Sequence, residues 1–234
     1  MRILKQALIN LAKKSKSKDL LLDKIKEKDY ELVYITLQDE GLLSFREYNR
    51  LKQEFRERNK YLSLIKITAP TAFADQAINH IVSLFPVLQP TKNNKSIKTK
   101  GEYDLFCKKY KEGLIKIEVK AGRASDRTLK NVPYERRAFS TLDKNGLFDM
   151  NFQQMKPDCF DVAILMGVWT DKIRYWVLSS KEMRNHKHFS SGQHRGNKGY
   201  EGQIHIKTEN LGDFKQFEVE EEKVLETVLK KASR

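Results

Sequence analysis

Residues 159–169, CFDVAILMGVW, form the most apolar run in the chain and constrain its fold more than any other stretch. The run is far shorter than the roughly 18 apolar residues a membrane span needs, and no stretch of that kind occurs anywhere in the chain. Its β-branched and aromatic side chains favour strand over helix, so it is expected as a central strand buried in a sheet. The polar TDK that follows turns the chain. Residues 173–178, IRYWVL, then pair back as the next strand, with Trp169 and Trp176 as packing residues.

A second strand pair is expected upstream, in GEYDLFCKKYKEGLIKIEVK, residues 101–120. Its last seven residues alternate polar and apolar side chains. On a strand Leu114, Lys116, Glu118 and Lys120 share one face, and Ile115, Ile117 and Val119 form the other. One face can pack on helices while the other does chemistry. The intervening CKKYKEG is polar and ends in Gly113, as a hairpin turn would, which brings YDLF alongside and Asp104 near Glu118. Mg²⁺ prefers oxygen ligands, keeps several waters and is usually held by one or two carboxylates plus phosphate oxygens, so Asp104 and Glu118 suit it. Lys120 would then orient an attacking water or offset charge on a phosphate. An isolated Glu-x-Lys is an ordinary exposed pair worth roughly 0 to 1 kcal/mol. Here Gly113 and Gly122 bound the strand, and an Asp sits on its expected neighbour.

Charge adds weight to the chemical alternative. Forty-five Lys and Arg against 31 Asp and Glu give a net charge of +14, which suits an anionic polymer better than a small neutral ligand. Ordinary solubility from a generous Lys count is the other source of such charge. Cys107 and Cys159 have no zinc spacing and read as reduced thiols, so no disulfide is expected. The opening MRILKQALINLAKKSKSK has no small-residue cleavage site, and the expected location is cytoplasmic.

With its charge and its neighbours, the hairpin resembles the catalytic hairpin of the PD-(D/E)XK nuclease superfamily, which includes most type II restriction endonucleases and archaeal Holliday-junction resolvases. Tyr103-Asp104 stands where that family has Pro-Asp, and Glu118-Val119-Lys120 matches its (D/E)-x-K. The likeness extends over residues 68–180. It implies an α/β fold, a mixed sheet flanked by helices with an αβββαβ core. It also implies Mg²⁺ held by Asp104 and Glu118, with Lys120 assisting the water and in-line hydrolysis leaving 5′-phosphates. The expected function is a sequence-specific double-stranded DNA endonuclease of the type II restriction class. Such an enzyme works as a homodimer on a palindromic site and has a cognate DNA methyltransferase in the same system. A Holliday-junction resolvase or repair nuclease is the alternative within nucleases. A non-enzymatic DNA-binding regulator is the alternative outside them.

Residues 1–60 are rich in helix formers and read as three helices, the N-terminal region of a chain whose residues 61–234 form the nuclease domain. Gly41 can end one helix and Ser44 can cap the next, with Glu47 as its capping-box partner. Arg46, Arg50, Lys52, Arg56 and Arg58 make that last helix basic, so the pair is either a helix-turn-helix or a helical cap or dimerisation arm. YLSLIKIT, residues 61–68, reads as a strand. TAFADQAINHIVSLFP reads as a helix; its Asp75 is either an accessory metal or water ligand or a first-turn acid favoured by the helix dipole. His80 reads as a packing residue, and the basic loop 90–100 suits phosphate contact or plain solvent exposure.

After the hairpin, Arg123, Arg127, Lys130, Arg136 and Arg137 can line a DNA backbone or lie on a solvated surface. DMNFQQMKPD reads as a short helix, with Gln154 at the scissile phosphate by the resemblance and merely polar without it. Residues 184–203 form a Gly-rich loop in which Gln193, His194, Arg195, Asn197 and Lys198 match the donor and acceptor types used against base edges, though a surface loop is equally open. Asn185-His186 and His188 lack the ββα frame of an HNH nuclease. The last residues, FEVEEEKVLETVLKKASR, read as a helix for packing or dimerisation.

Overall fold

The computed structural model describes residues 2–27, 29–93, 102–109, 113–143, 146–192 and 201–232. Four helices come first: α1 (Arg2–Ala12), α2 (Lys18–Glu27), α3 (Tyr30–Asp39) and α4 (Phe45–Arg58). Three were expected; the additional one is α3, whose aromatic and β-branched residues weaken its helical propensity while Tyr30, Val33, Tyr34 and Leu37 keep helical spacing and are all buried. With Leu8, Leu21, Ile25 and Leu51 they form a hydrophobic core belonging to this region alone. Gly41 at φ +70° carries the chain out of α3, a conformation that costs glycine little. Ser44 then caps α4, its Oγ accepting from Glu47 N at 3.3 Å while Glu47 Oε2 accepts from Ser44 N at 2.9 Å. Such a cap is worth about 1 kcal/mol.

The segment read as a strand at 61–68 is a helical turn, α5 (Leu62–Lys66). Tertiary contacts override the β-branched pattern: Tyr61 N donates to Thr170 O at 2.9 Å, and the turn drives Ile65 fully into the core. Then follow α6 (Pro70–Leu84), β1 (Gln89–Pro90), β2 (Leu105–Lys109), β3 (Gly113–Arg123) and the single turn α7 (Tyr134–Arg137). Asp149–Met155 is a strand, β4, where a helix was expected. Met150 and Phe152 alternate inward, and a bulge between Phe152 and Met155 breaks that period and disguises it in the sequence. The remaining strands and α-helices are β5 (Val162–Val168), β6 (Ile173–Ser179), α8 (Ser180–Arg184), β7 (Phe189–Ser191), β8 (Gly202–Lys207), β9 (Glu218–Val219) and α9 (Val224–Ala232).

Six strands form the main sheet in the order β1-β2-β3-β5-β6-β9, and β4-β8-β7 form a smaller one. β2 pairs antiparallel with both β1 and β3, β3 pairs parallel with β5, and β6 and β9 return antiparallel. The sheet is therefore mixed, and β5, buried at every residue, lies inside it as its apolar run requires. On one face Ile115, Ile117, Val119, Ile164 and Val177 pack with Phe73 and Ile81 of α6 and Val224 and Val228 of α9. On the other, Phe106, Ala163, Leu165 and Trp176 meet Met150, Phe152, Ile204 and Ile206 of the small sheet. From α6 the chain runs through β1, β2, β3, the single turn α7 and the small-sheet strand β4 to β5, so the mixed sheet flanked by helices is as expected while a strand stands where the short helix before β5 was expected. Cys107 and Cys159 are both buried, and no described helix is long and apolar enough to cross a membrane.

Candidate active site

The alternation along β3 sends Val119 toward α6 and its neighbours Glu118 and Lys120 toward the small sheet. Leu105 of β2 lies opposite Ile117, so Asp104, one residue earlier, falls beside Glu118. Asp104 is held at both ends: its N donates to Ile117 O at 3.0 Å, and its Oδ2 accepts from Val119 N at 2.9 Å. Thr91 fixes its carbonyl oxygen through N at 3.0 Å and Oγ1 at 3.1 Å. Lys120 Nζ stands 2.6 Å from Glu118 Oε1. The hairpin thus brings together the three residues expected to meet.

Their electrostatics follow from depth. Glu118 is only 5% exposed; burial raises its pKa, Asp104 adds to the effect, and Lys120 and Lys156 oppose it, leaving it at about 7. Burial also raises Asp104, against the pull of Lys120 and the Val119 N–H, and Asp75 pushes it further up. Burial alone would lower Lys120, but Glu118 and Asp104 outweigh it and hold the ammonium above its ordinary pKa. Two sunken carboxylates share one close cation, an excess of negative charge that a divalent ion would relieve. Among the described residues no three or more His, Cys, Asp or Glu side chains gather into a metal-holding group. Two carboxylates completed by water and phosphate oxygens form a set that Mg²⁺ accepts, so the residues present fit that ion.

Asp75, half-exposed on α6, bonds Lys92 Nζ at 2.9 Å and acts on Asp104 through its field, not as a gathered third ligand. Two residues that the sequence reading missed stand near the centre. Lys156, just after β4, and Glu201, just before β8, pair at 3.5 Å, and their fields reach Glu118 and Lys120 respectively. No local pattern marks them, because the small sheet delivers both. Gln154 sits in the β4 bulge with φ +57°, a left-handed conformation costing a non-glycine residue roughly 1 kcal/mol. Bulges often lie beside active sites, where they re-aim side chains.

The basic segment divides. Arg123 is turned inward, donating to Ile65 O at 3.2 Å and to Ile67 O, with its guanidinium over the rings of Phe73 and Tyr134 at 3.6 and 4.2 Å. Burial lowers its pKa to about 10, and its task here is to tie α5 to β3. Arg127 pairs with Asp149 at 3.5 Å, and Arg137 stacks on Tyr134 at 4.2 Å, while Lys130 and Arg136 are exposed. Gln193, His194, Arg195, Asn197 and Lys198 lie outside the described residues. The strands bracketing them meet where Gly192 N donates to Glu201 O at 3.0 Å. His80 lies 2.8 Å from the Tyr175 hydroxyl, and His186 stacks on Phe214 at 4.4 Å, so both pack.

Comparison with protein-family models, with curated proteins and with solved structures finds no match to this chain. What the site can do rests on its own chemistry.

Proposed function

We propose that the chain is a Mg²⁺-dependent, sequence-specific double-stranded DNA endonuclease of the type II restriction class, resembling the PD-(D/E)XK superfamily and leaving 5′-phosphates. The observation that carries this reading is the convergence of Asp104, Glu118 and Lys120, with Lys120 Nζ 2.6 Å from Glu118 Oε1 and Asp104 pinned through Val119 N at 2.9 Å. The antiparallel strands after α6 and the parallel pairing of β3 with β5 support the resemblance, with the one-turn α7 and the interposed β4 as departures from it.

Asp104 and Glu118 would hold the ion from adjacent strands, each committing one oxygen to the protein. Bound there, Mg²⁺ supplies charge neutralisation at the scissile phosphate and lowers the pKa of a water. Lys120 works as a cation and not as a base, because its two carboxylate neighbours keep it protonated. Its ammonium can donate to a non-bridging phosphate oxygen or hold the attacking water in line. A homodimer with a cognate methyltransferase completes the expected system.

Incubation of the full chain with plasmid DNA and Mg²⁺ should give discrete fragments with 5′-phosphate ends and none in EDTA. Glu118→Gln and Lys120→Met should each slow cleavage by roughly 100-fold or more while still binding duplex. Retarded but intact plasmid across many sequences would favour the regulator, preference for branched substrates the resolvase. Undiminished cleavage by both variants would move the active site elsewhere.

A further inference from the structure

The charge of α4 is not spread evenly around it. At about 100° per residue, Leu51, Tyr48 and Phe55 point into the helical core, and Lys52 and Arg58 lean the same way: Lys52 Nζ lies 3.1 Å from the Tyr48 hydroxyl, and Arg58 buries Nη1. The opposite arc of about 140° exposes Phe45, Arg46, Asn49, Arg50, Gln53 and Arg56, with Glu57 as its one acid. Elsewhere several helix cations pair with acids one turn away: Lys24 with Glu27 and Lys26 with Asp23 on α2, and Lys223, just before α9, with Glu226 on it, each at 2.9 Å. On α4 the guanidinium groups of Arg46, Arg50 and Arg56 make no ion pair or hydrogen bond with any described residue. Glu47, the acid whose charge Arg50 feels, is already bound by the Ser44 cap.

Residue type sharpens the contrast. The chain holds 32 Lys against 13 Arg, yet four Arg and one Lys fall within the 14 residues of α4. Guanidinium is the group that meets two acceptors at once, and it matches guanine O6 and N7; Asn and Gln match adenine N6 and N7. Gln53 is steadied by Glu57, its Nε2 donating to Glu57 Oε1 at 2.8 Å. Phe45, 68% exposed at the head of α4, offers an apolar contact of the kind that meets a thymine methyl. The second helix of a helix-turn-helix lies in the major groove with its N-terminal residues at the base edges, and α3, the turn 40–44 and α4 have that layout.

We infer that the exposed arc of α4 reads base edges in the major groove of double-stranded DNA, making the N-terminal helices a sequence-recognition module separate from the Asp104, Glu118, Lys120 centre. This rests on the DNA-directed reading of the chain but not on hydrolysis.

The test uses the full chain in EDTA, so that binding is read without cleavage. Wild type is first used to enrich duplexes from a random-sequence library, and affinity for the enriched duplex is then measured by fluorescence anisotropy. Arg46→Ala, Asn49→Ala and Arg50→Ala should each weaken binding roughly tenfold or more and change the enriched sequence. Arg46→Lys with Arg50→Lys should keep most of the affinity and flatten the base preference. Unaltered circular dichroism and melting of these surface variants ensure that fold loss is not what is read. An unchanged enriched sequence and affinity in the Ala variants overturns the inference, as does a wild type that prefers single-stranded RNA to duplex. If wild type cuts nothing with Mg²⁺ while α4 variants still redirect the enriched sequence, the nuclease reading fails and this one stands. If Lys120→Met abolishes cleavage while α4 variants cut at unchanged positions, the outcome is reversed.

Discussion

Glu118 is the residue whose protonation most affects the site. With its pKa raised to about 7, it carries a proton through much of the mildly acidic range, and a protonated carboxyl cannot serve a metal. Apparent Mg²⁺ affinity should therefore fall roughly tenfold for each pH unit below 7 and level off above it, as isothermal titration or cleavage rate at limiting Mg²⁺ would record. A flat response from about pH 5.5 to 8 would remove Glu118 from the metal set. The same shift acts on stability in the metal-free protein. Folding raises this pKa from an ordinary value near 4.5, so the native state binds the proton more tightly, and the stability this supplies is full below about pH 4.5 and gone above about 7. At roughly 1.4 kcal/mol per pH unit the loss is on the order of 3 kcal/mol. Glu118→Gln should accordingly gain in melting temperature relative to wild type on going from pH 5 to pH 8 while losing cleavage. Parallel melting curves for the two proteins at both pH values would discount this account.

At the scale of elements, the site depends on how closely the small sheet can approach the main one. Gly122 of β3 and Gly167 of β5 are partners in the parallel register, and together they leave a dent just beyond Lys120. A Cβ on Gly167 would stand 2.8 Å from the Trp169 and Trp176 rings and 3.0 Å from Met150 Sδ; one on Gly122 would stand 3.0 Å from Met150 Cβ. Gly167→Ala should therefore cost about 1–3 kcal/mol in denaturant unfolding, since this core has no space for the methyl. A cost within experimental error would mean that β4 can retreat freely. Elements whose signal is local were legible in the sequence: β5 from its unbroken apolar run, β3 from its alternation, and the start of α4 from Ser44 and Glu47. The position of Asp104 beside Glu118 was legible for the same reason, because a hairpin fixes its own register. β4 was not, since its bulge at Gln154 erases the period, and the loss of β4 hid Lys156 and Glu201 as site neighbours. Arg123 was misjudged for a related reason: nothing in AGRASD tells that α5 would stand over it to receive its donors.

Across the whole molecule the positive charge belongs to both parts. Residues 1–60 carry 15 Lys and Arg against 10 Asp and Glu, and the remainder 30 against 21, so neither part alone supplies the excess. The two meet near α7, where Arg136 lies within the field of Lys24 and Glu27 of α2. A duplex gripped by both parts would release more counterions than one held at the catalytic centre alone. Each phosphate neutralised adds about −0.9 to the slope of log affinity against log salt, and 6 to 10 such contacts cost roughly a thousandfold or more in affinity between 50 and 200 mM salt. The full chain in EDTA should show a loss of that size. Removing Arg46, Arg50 and Arg56 together should flatten the slope by roughly 0.9 for each phosphate contact they make, so by at most about 3. Pure base contacts would lower affinity with a smaller change in slope, which separates reading from gripping. A triple variant that leaves slope and affinity both at wild-type values would take α4 off the DNA and leave the N-terminal helices as a cap or dimerisation arm, with the site at Asp104, Glu118 and Lys120 untouched by that result.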